Sequence, residues 1–239
     1  MAASDRIALV IPTLNEAETI GTTLAEIPSG MVDEVIVADG GSTDATRAIA
    51  AAAGARIVAP GRGFGRACLE GARATSSDII AFMDADGADD PAFLSALLAP
   101  LKAGTADFAI ASRTRGVREA GSMAWHQVAA GRAAGLGMRA LYGVAYSDMC
   151  TFRAIRRDAL VGLGMRELTY GWNIEMQMRA ARAGLAIVEI PVAYRRRRGG
   201  VSKVAGNLAT SITAGTRIVS TFLRVATKLS GPAAAPNKM

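Results

Sequence analysis

Acidic residues gather where short apolar runs end. Glu16 follows the first run, in PTLNE, and Asp39 closes the second, in VADGGSTD. Asp84, Asp86, Asp89 and Asp90 crowd DADGADD, at the end of the run from Asp78 to Met83. Massed carboxylates repel one another and hold their protons more tightly unless a cation joins them. Hard oxygen ligands suit Mg2+ or Mn2+, ions that commonly bridge to substrate phosphates. Asp84 and Asp86 are therefore read as a metal pair serving a diphosphate. Asp90 has its own explanation, as the N-cap of a helix opened by Pro91. A calcium loop of the EF-hand type is excluded: counted from Asp84, positions 5, 6 and 12 are Ala88, Asp89 and Ser95, where a ligand, a glycine and a glutamate are needed. The glycine run from Gly61 to Gly65 carries Arg66 in place of the last glycine of a dinucleotide fingerprint, and no P-loop occurs.

The elements that must position these groups alternate in type. Arg6–Ile11, Glu34–Ala38, Arg56–Ala59 and Asp78–Met83 read as strands. Helices are expected from about Asn15 to Ile27, Asp44 to Ala53, Phe64 to Ala74 and from Pro91 onward. That alternation predicts right-handed βαβ units on a parallel sheet, whose ligands bind beyond the carboxyl ends of the strands. The second half is less regular. Strands are expected at Asp107–Ser112, Thr151–Ile155 and Ala186–Tyr194, with helices over Met123–Leu141 and Trp172–Ala183. Arg195–Gly200 reads as a basic loop before a C-terminal helical region.

The 239 residues suit one large domain with a short appendage, and 51% hydrophobic content excludes disorder over most of the length. Lys and Arg number 27 against 21 Asp and Glu, a net charge of +6 that asks for an anionic partner. The longest stretch without a charged residue is the 13 residues Val204–Thr216, too short to span a bilayer, and the N-terminus lacks a signal peptide pattern. A cytoplasmic protein is expected. Cys68 and Cys150 stand apart from any metal-binding spacing and read as buried thiols. Nucleic acid is disfavoured as the partner, because the basic residues are not interleaved with aromatics.

IPTLNEAETI, VADGGSTDAT, FMDADGADDP, ASR, SDMCTFRAIRRDAL and the stretch from YGWNIEMQ to RRRRGGVSK occur in that order over about residues 6 to 205. They resemble the ordered motifs of family-2 inverting glycosyltransferases, in particular the dolichyl-phosphate mannosyltransferase-like branch. The resemblance implies a GT-A fold, an α/β architecture with a Rossmann-like, mostly parallel sheet flanked by helices. It further implies a UDP- or GDP-linked sugar donor, a divalent metal, and often a polyprenyl phosphate acceptor at the cytoplasmic membrane face.

Carried over by position, the resemblance makes Pro12, Thr13, Leu14 and Glu16 contacts to the donor nucleotide and Asp39 a contact to its base or ribose. Asp84, Ala85 and Asp86 form the D-x-D, with Asp86 the better metal ligand; water or Asp89 would serve where Ala88 stands in place of a further ligand. Arg197, Gly200, Ser202 and Lys203 match a basic loop that closes over the diphosphate. The chemistry agrees, since leaving-group charge grows as the sugar bond breaks, and a metal with an Arg or Lys opposite stabilises it. Four consecutive arginines alternate faces, so Arg196 reads as solvated. Arg113, assisted by Arg115, resembles an arginine aimed at the acceptor phosphate.

A phosphate monoester, with a second pKa near ~6, is already anionic at neutral pH and needs no base. A hydroxyl acceptor on a lipid or glycan would need one, and Glu175 is the candidate; its alternative is a helix-surface pair with Arg179 at i+4. From Val204 to Leu229, helical spacing puts Leu208, Ile212, Val219, Phe222, Leu223 and Ala226 on one face and Arg217, Arg224 and Lys228 opposite. This pattern suits either a helix packed on the domain or an interfacial helix on anionic lipid. The expected organisation is thus a catalytic domain over 1–200, a basic amphipathic appendage over 201–230 and a disordered tail over 231–239. A non-catalytic, basic membrane-binding module is the rival from another class.

Overall fold

The computed structural model describes residues 5–199 and 208–228. Seven strands form one sheet: β1 (Ile7–Thr13), β2 (Glu34–Asp39), β3 (Arg56–Val58), β4 (Ile79–Phe82), β5 (Phe108–Ser112), β6 (Arg153–Arg156) and β7 (Ile187–Pro191). Their order is β3-β2-β1-β4-β6-β5-β7. The helices are α1 (Ile20–Ala25), α2 (Thr46–Ala52), α3 (Phe64–Arg73), α4 (Leu94–Lys102), α5 (Trp125–Tyr142), α6 (Arg157–Leu163), α7 (Trp172–Arg182) and α8 (Leu208–Lys228).

β1 lies between β2 and β4 and is parallel to both. Its residues Ala8 to Ile11 are wholly buried, which is why the run is apolar without alternation. Successive side chains feed opposite layers. Val10 joins Ile36, Ile80, Phe82 and Trp172 on one side of the sheet, while Leu9 and Ile11 join Leu94, Leu97, Leu98 and Phe152 on the other. α3 comes so close to β1 that a Cβ on Gly71 would collide with the side chain of Val10.

The expected βαβ alternation is present through β4, with helices shorter than the sequence pattern suggests. Residues 17–19 form a turn, and α1 begins only at Ile20. Pro91 opens a 3-10 turn, Pro91–Phe93, capped by Asp90, whose carboxylate accepts from Ala92 N at 3.1 Å. Beyond β4 two features depart from expectation. β6 runs antiparallel to both β4 and β5, and α6 follows it directly, a helix the sequence pattern did not announce. The reversal has a consequence: the start of β6, with Thr151 just before it, lies at the sheet edge where β1, β2 and β4 end.

α8 packs on the domain. Thr221 and Val225 are buried, Phe222 rests against Gly137 of α5, and Arg224 donates to Glu167 at 2.6 Å. The segregation expected of this helix is therefore corrected in two places. Arg224 turns inward to a carboxylate rather than joining a wet cationic side, and Val219 and Leu223, expected on the apolar side, are each 58% exposed. The expected tail from 231 lies outside the described residues.

Candidate active site

The strand order reverses direction between β1 and β4, and beyond the carboxyl ends at such a switch point open α/β sheets form their ligand crevice. On one side of it, PTLNE is knitted to the loop after β2. Asn15 takes a left-handed conformation (φ 53°), which Asn tolerates better than most residues. Its N–H donates to Ser42 Oγ at 2.8 Å, and its Oδ1 accepts from Thr43 N at 2.9 Å. Glu16 N donates to Thr46 Oγ1 at 2.8 Å. Asp39 is fully buried; its carboxylate accepts from Gly41 N at 3.1 Å, Ser42 N at 2.9 Å, Thr13 Oγ1 at 3.3 Å and the Ser42 hydroxyl. Pro12, Thr13 and Asp39 at the strand ends and Leu14 and Glu16 in the loop after β1 thus lie on one hydrogen-bonded wall, in which the Asp39 carboxylate shapes the turn after β2.

DADGADD forms the other wall. Asp86 Oδ1 accepts from Ala88 N at 3.0 Å, and the following Gly87 sits at φ 75°, with the Arg198 side chain against it. The basic segment lies along this loop: Arg195 N donates to Ala88 O and Arg198 N to Asp86 O, both at 3.0 Å. Arg197 joins the two walls. One of its terminal nitrogens donates to Asp86 Oδ2 at 2.9 Å and the other to Glu16 Oε1 at 2.6 Å. Arg195 instead pairs with Glu26 at 2.7 Å and Asp90 at 2.8 Å, while the exposed Arg196 takes Glu119 through its backbone N–H at 2.7 Å. Arg198 also pairs with Glu26, so Arg195 and Arg198 share one carboxylate while Arg197 reaches Glu16 and Asp86. Gly200, Ser202 and Lys203 lie outside the described residues.

The electrostatics of the acidic loop favour a cation. Burial, reinforced by Asp89 and Asp86, pushes the Asp84 carboxyl well above the usual range, against the Thr151 hydrogen bond that lowers it. Burial and Asp86 push Asp89 up to about 7. Three carboxyls in one partly dry loop hold excess negative potential, which a divalent ion at Asp84 and Asp86 would neutralise. Among the described residues no three carboxylate, imidazole or thiol side chains converge on one point. Two carboxylates, with phosphate oxygens and water completing the shell, is the arrangement Mg2+ commonly takes.

Across the crevice stand β5 and the loop before β6. Arg113 forms a two-pronged pair with Asp148, Nε to Oδ2 at 2.8 Å and Nη2 to Oδ1 at 2.7 Å, with its backbone N–H on the same carboxylate at 2.9 Å. Its guanidinium lies 4.9 Å from the centre of the Tyr194 ring. Burial pushes the Asp148 carboxyl up, but the Arg113 hydrogen bonds and charge outweigh it and hold it below the ordinary range. Arg115 is more open and lies 3.7 Å from Glu189.

Glu175 does not join this constellation. It is fully buried, and its carboxylate accepts from Arg166 N at 3.0 Å, Glu167 N at 2.6 Å and Arg179 Nε at 3.0 Å. The i+4 pair is present, in the interior rather than on a helix surface, and its work is to hold the loop 166–168. That loop packs on the start of α3: Arg66 N donates to Leu168 O at 3.0 Å, and a Cβ at Gly63 or Gly65 would strike the carbonyls of Leu168 and Glu167.

Four contributors carried no assigned role in the sequence reading: Asp148, Thr151, Tyr194 and Glu167. Asp148 and Thr151 fall inside SDMCTFRAIRRDAL, a motif whose expected strand, Thr151–Ile155, carries no sign of what its first residues touch. Tyr194, 81 positions after Arg113, had no local signal at all.

Residues 8–164 match the profile of Glycosyl transferase family 2, and the chain belongs to that family. It is a glycosyltransferase with a GT-A fold. It is 37% identical over 215 residues, 89% of this chain and 95% of the relative, to an uncharacterized glycosyltransferase of Mycobacterium tuberculosis. To the polyprenol monophosphomannose synthase of Mycolicibacterium smegmatis it is 30% identical over 222 residues, covering 85% of this chain and 83% of that one. Among solved structures, glucosyl-3-phosphoglycerate synthase from Mycobacterium tuberculosis, in complex with Mn2+, UDP and glucosyl-3-phosphoglycerate, superposes with a TM-score of 0.74. Its sequence is 26% identical, over 93% of this chain and 80% of that one.

Proposed function

We propose that the protein is an inverting hexosyltransferase of the dolichyl-phosphate mannosyltransferase-like branch. It moves a sugar from a UDP- or GDP-linked donor to a polyprenyl phosphate at the cytoplasmic face of the membrane. The donor part of this reading is supported by the crevice walls, Pro12–Glu16 with Asp39 facing Asp84–Asp86, and by relatives crystallised with Mn2+ and UDP. Asp84 and Asp86 would hold Mg2+ or Mn2+, which supplies charge to the departing diphosphate. Arg197, placed between Glu16 and Asp86, exchanges carboxylate partners for diphosphate oxygens, and Lys203 adds to it. Ala85 spaces the two aspartates.

The observation that carries the acceptor class is Glu175. The carboxylate offered as base for a hydroxyl acceptor is instead buried under three hydrogen bonds that hold the loop 166–168, which favours an acceptor that arrives already ionised. In that reaction a phosphate oxygen forms the new bond to the anomeric carbon, while the bond to the nucleoside diphosphate breaks and its electrons leave with the diphosphate. Arg115, the more open of the two, receives the acceptor phosphate, assisted by Arg113, which Asp148 holds beside it. Among the described residues no helix is long and apolar enough to cross a membrane, which fits peripheral attachment.

The test is a transfer assay with UDP- and GDP-hexoses and Mn2+, offering polyprenyl phosphate, 3-phosphoglycerate and a lipid alcohol in parallel. Transfer to polyprenyl phosphate with inverted anomeric configuration is expected. Transfer confined to 3-phosphoglycerate or the alcohol, or retained configuration, overturns the reading.

A further inference from the structure

We infer that the outward face of α5 is the surface by which this protein sits on an anionic phospholipid bilayer. This deepens the lipid-phosphate reading and rests on it for its purpose, but it is carried by different observations. At about 100° per residue, Trp125, Ala129, Ala133, Leu136 and Ala140 fall within an arc of about 80°, bordered on one side by Arg132 and Arg139. Gly131, Gly135 and Met138, on the opposite side, are buried against the domain. The arc is open: Trp125 is 81% exposed and Leu136 67%, and both arginines are exposed. Where Phe222 of α8 rests on Gly137, Val219 and Leu223 also stand exposed.

Charge chooses the occupant. No Asp or Glu occurs from Gly121 to Tyr146 or anywhere in α8. An apolar ridge of Trp, Leu and Ala with flanking arginines and no carboxylate is the composition of an interfacial helix on anionic lipid. A second copy docked here about a two-fold axis would bring Arg132 and Arg139 toward their own mates with nothing to neutralise them. The face also adjoins the proposed acceptor end of the crevice: Arg118 bridges to Tyr194, whose ring stacks on Arg113, and the Arg118 guanidinium donates to the sulfur of Met123, two residues before Trp125. A lipid phosphate leaving the bilayer beside α5 would thus have little distance to travel.

The chain offers its own probe, since it has two tryptophans and Trp172 is fully buried. With vesicles of phosphatidylcholine containing about one-third phosphatidylglycerol, we expect the Trp125 emission to shift to the blue and to be quenched by brominated lipid. Leu136→Asp should lower partitioning about tenfold or more, and Arg132→Glu about fivefold, with little change on neutral vesicles. Emission unchanged by anionic vesicles overturns the inference without any variant. So does a dimer in sedimentation that Leu136→Asp makes monomeric, which would assign the face to a second copy. Turnover of a short-chain, water-soluble polyprenyl phosphate without vesicles separates the two readings. Leu136→Asp should leave it unchanged; vesicle binding without any transfer to lipid phosphate removes the acceptor reading alone, and transfer without vesicle binding removes this one alone.

Discussion

The two ends of the crevice are built on different principles. At the donor end, four loops from β1, β2, β4 and the segment after β7 are locked together by hydrogen bonds and by Arg197 lying between Glu16 and Asp86. At the other end Arg113 is paired with Asp148 and Ser147 ties Ser112 to Glu189, and beyond them the surface opens into the side chains of Arg115 and Arg118 and the exposed face of α5. A nucleoside diphosphate is a small ligand of fixed shape, and loops held in place before it arrives avoid ordering costs on binding. A lipid acceptor delivers one phosphate from a surface, so a single anchored arginine and an apolar, cationic landing area suffice. On the proposed reading, the preorganised end takes a soluble donor and the more open end a surface-bound acceptor.

Breaking the donor end should cost most. Asp86→Asn is expected to lower kcat/KM on the order of 10³-fold and to abolish Mn2+-dependent thermal stabilisation by the nucleotide, since the developing diphosphate charge loses its metal. A variant that keeps its metal response would move the ion site elsewhere. Arg197→Ala should follow at about 10²-fold, with its effect in donor titrations rather than acceptor titrations.

The Arg113–Asp148 pair predicts a stability effect instead. Asp148→Asn leaves a buried guanidinium half-partnered and should cost about 2 kcal/mol near neutral pH by denaturant unfolding. The sign with pH follows from the lowered Asp148 carboxyl. Its contribution is complete above the ordinary aspartate value and is lost as pH falls through the lower, folded-state value. The gap between wild type and variant should therefore close toward acid. A constant gap from neutral pH down through the acid range would contradict that assignment.

The smallest effect is the sharpest test of the contrast. Glu175→Gln keeps a hydrogen-bond acceptor for the loop 166–168 and should leave turnover on a lipid phosphate within about twofold, with about 1 kcal/mol of lost stability. A loss of two orders of magnitude would make Glu175 a base and would return hydroxyl acceptors to consideration.

How much of this was legible in the residues depends on distance along the chain. β1, β2 and β4 read correctly because a strand buried on both faces writes a continuous apolar run, and the Asp- and Gly-rich turns after them are local chemistry. The Asp90 cap and the Glu175–Arg179 pair were readable for the same reason, spanning two and four residues. Strand direction is not local. Nothing in RAIR of β6 marks its direction, and its reversal is decided by its pairing with Phe82 and Ile110, both more than forty positions away. The amphipathic pattern of α8 was visible, but which of its residues would be covered depended on Glu167 and Gly137 in other elements.

By itself the sequence determined the family, the parallel N-terminal half and the cluster of aspartates after β4, because each is carried by short-range pattern and by residue types with few alternative uses. Tertiary structure decided which charges face the crevice and which are consumed inside the protein. Asp39, Asp148 and Glu175 are all acidic residues in motif-like surroundings, yet each is spent on hydrogen bonds from its surroundings. A buried carboxylate must find its partners wherever the fold brings donors within about 3 Å. That requirement is settled by the packing of distant segments, and residue type alone carries no record of it.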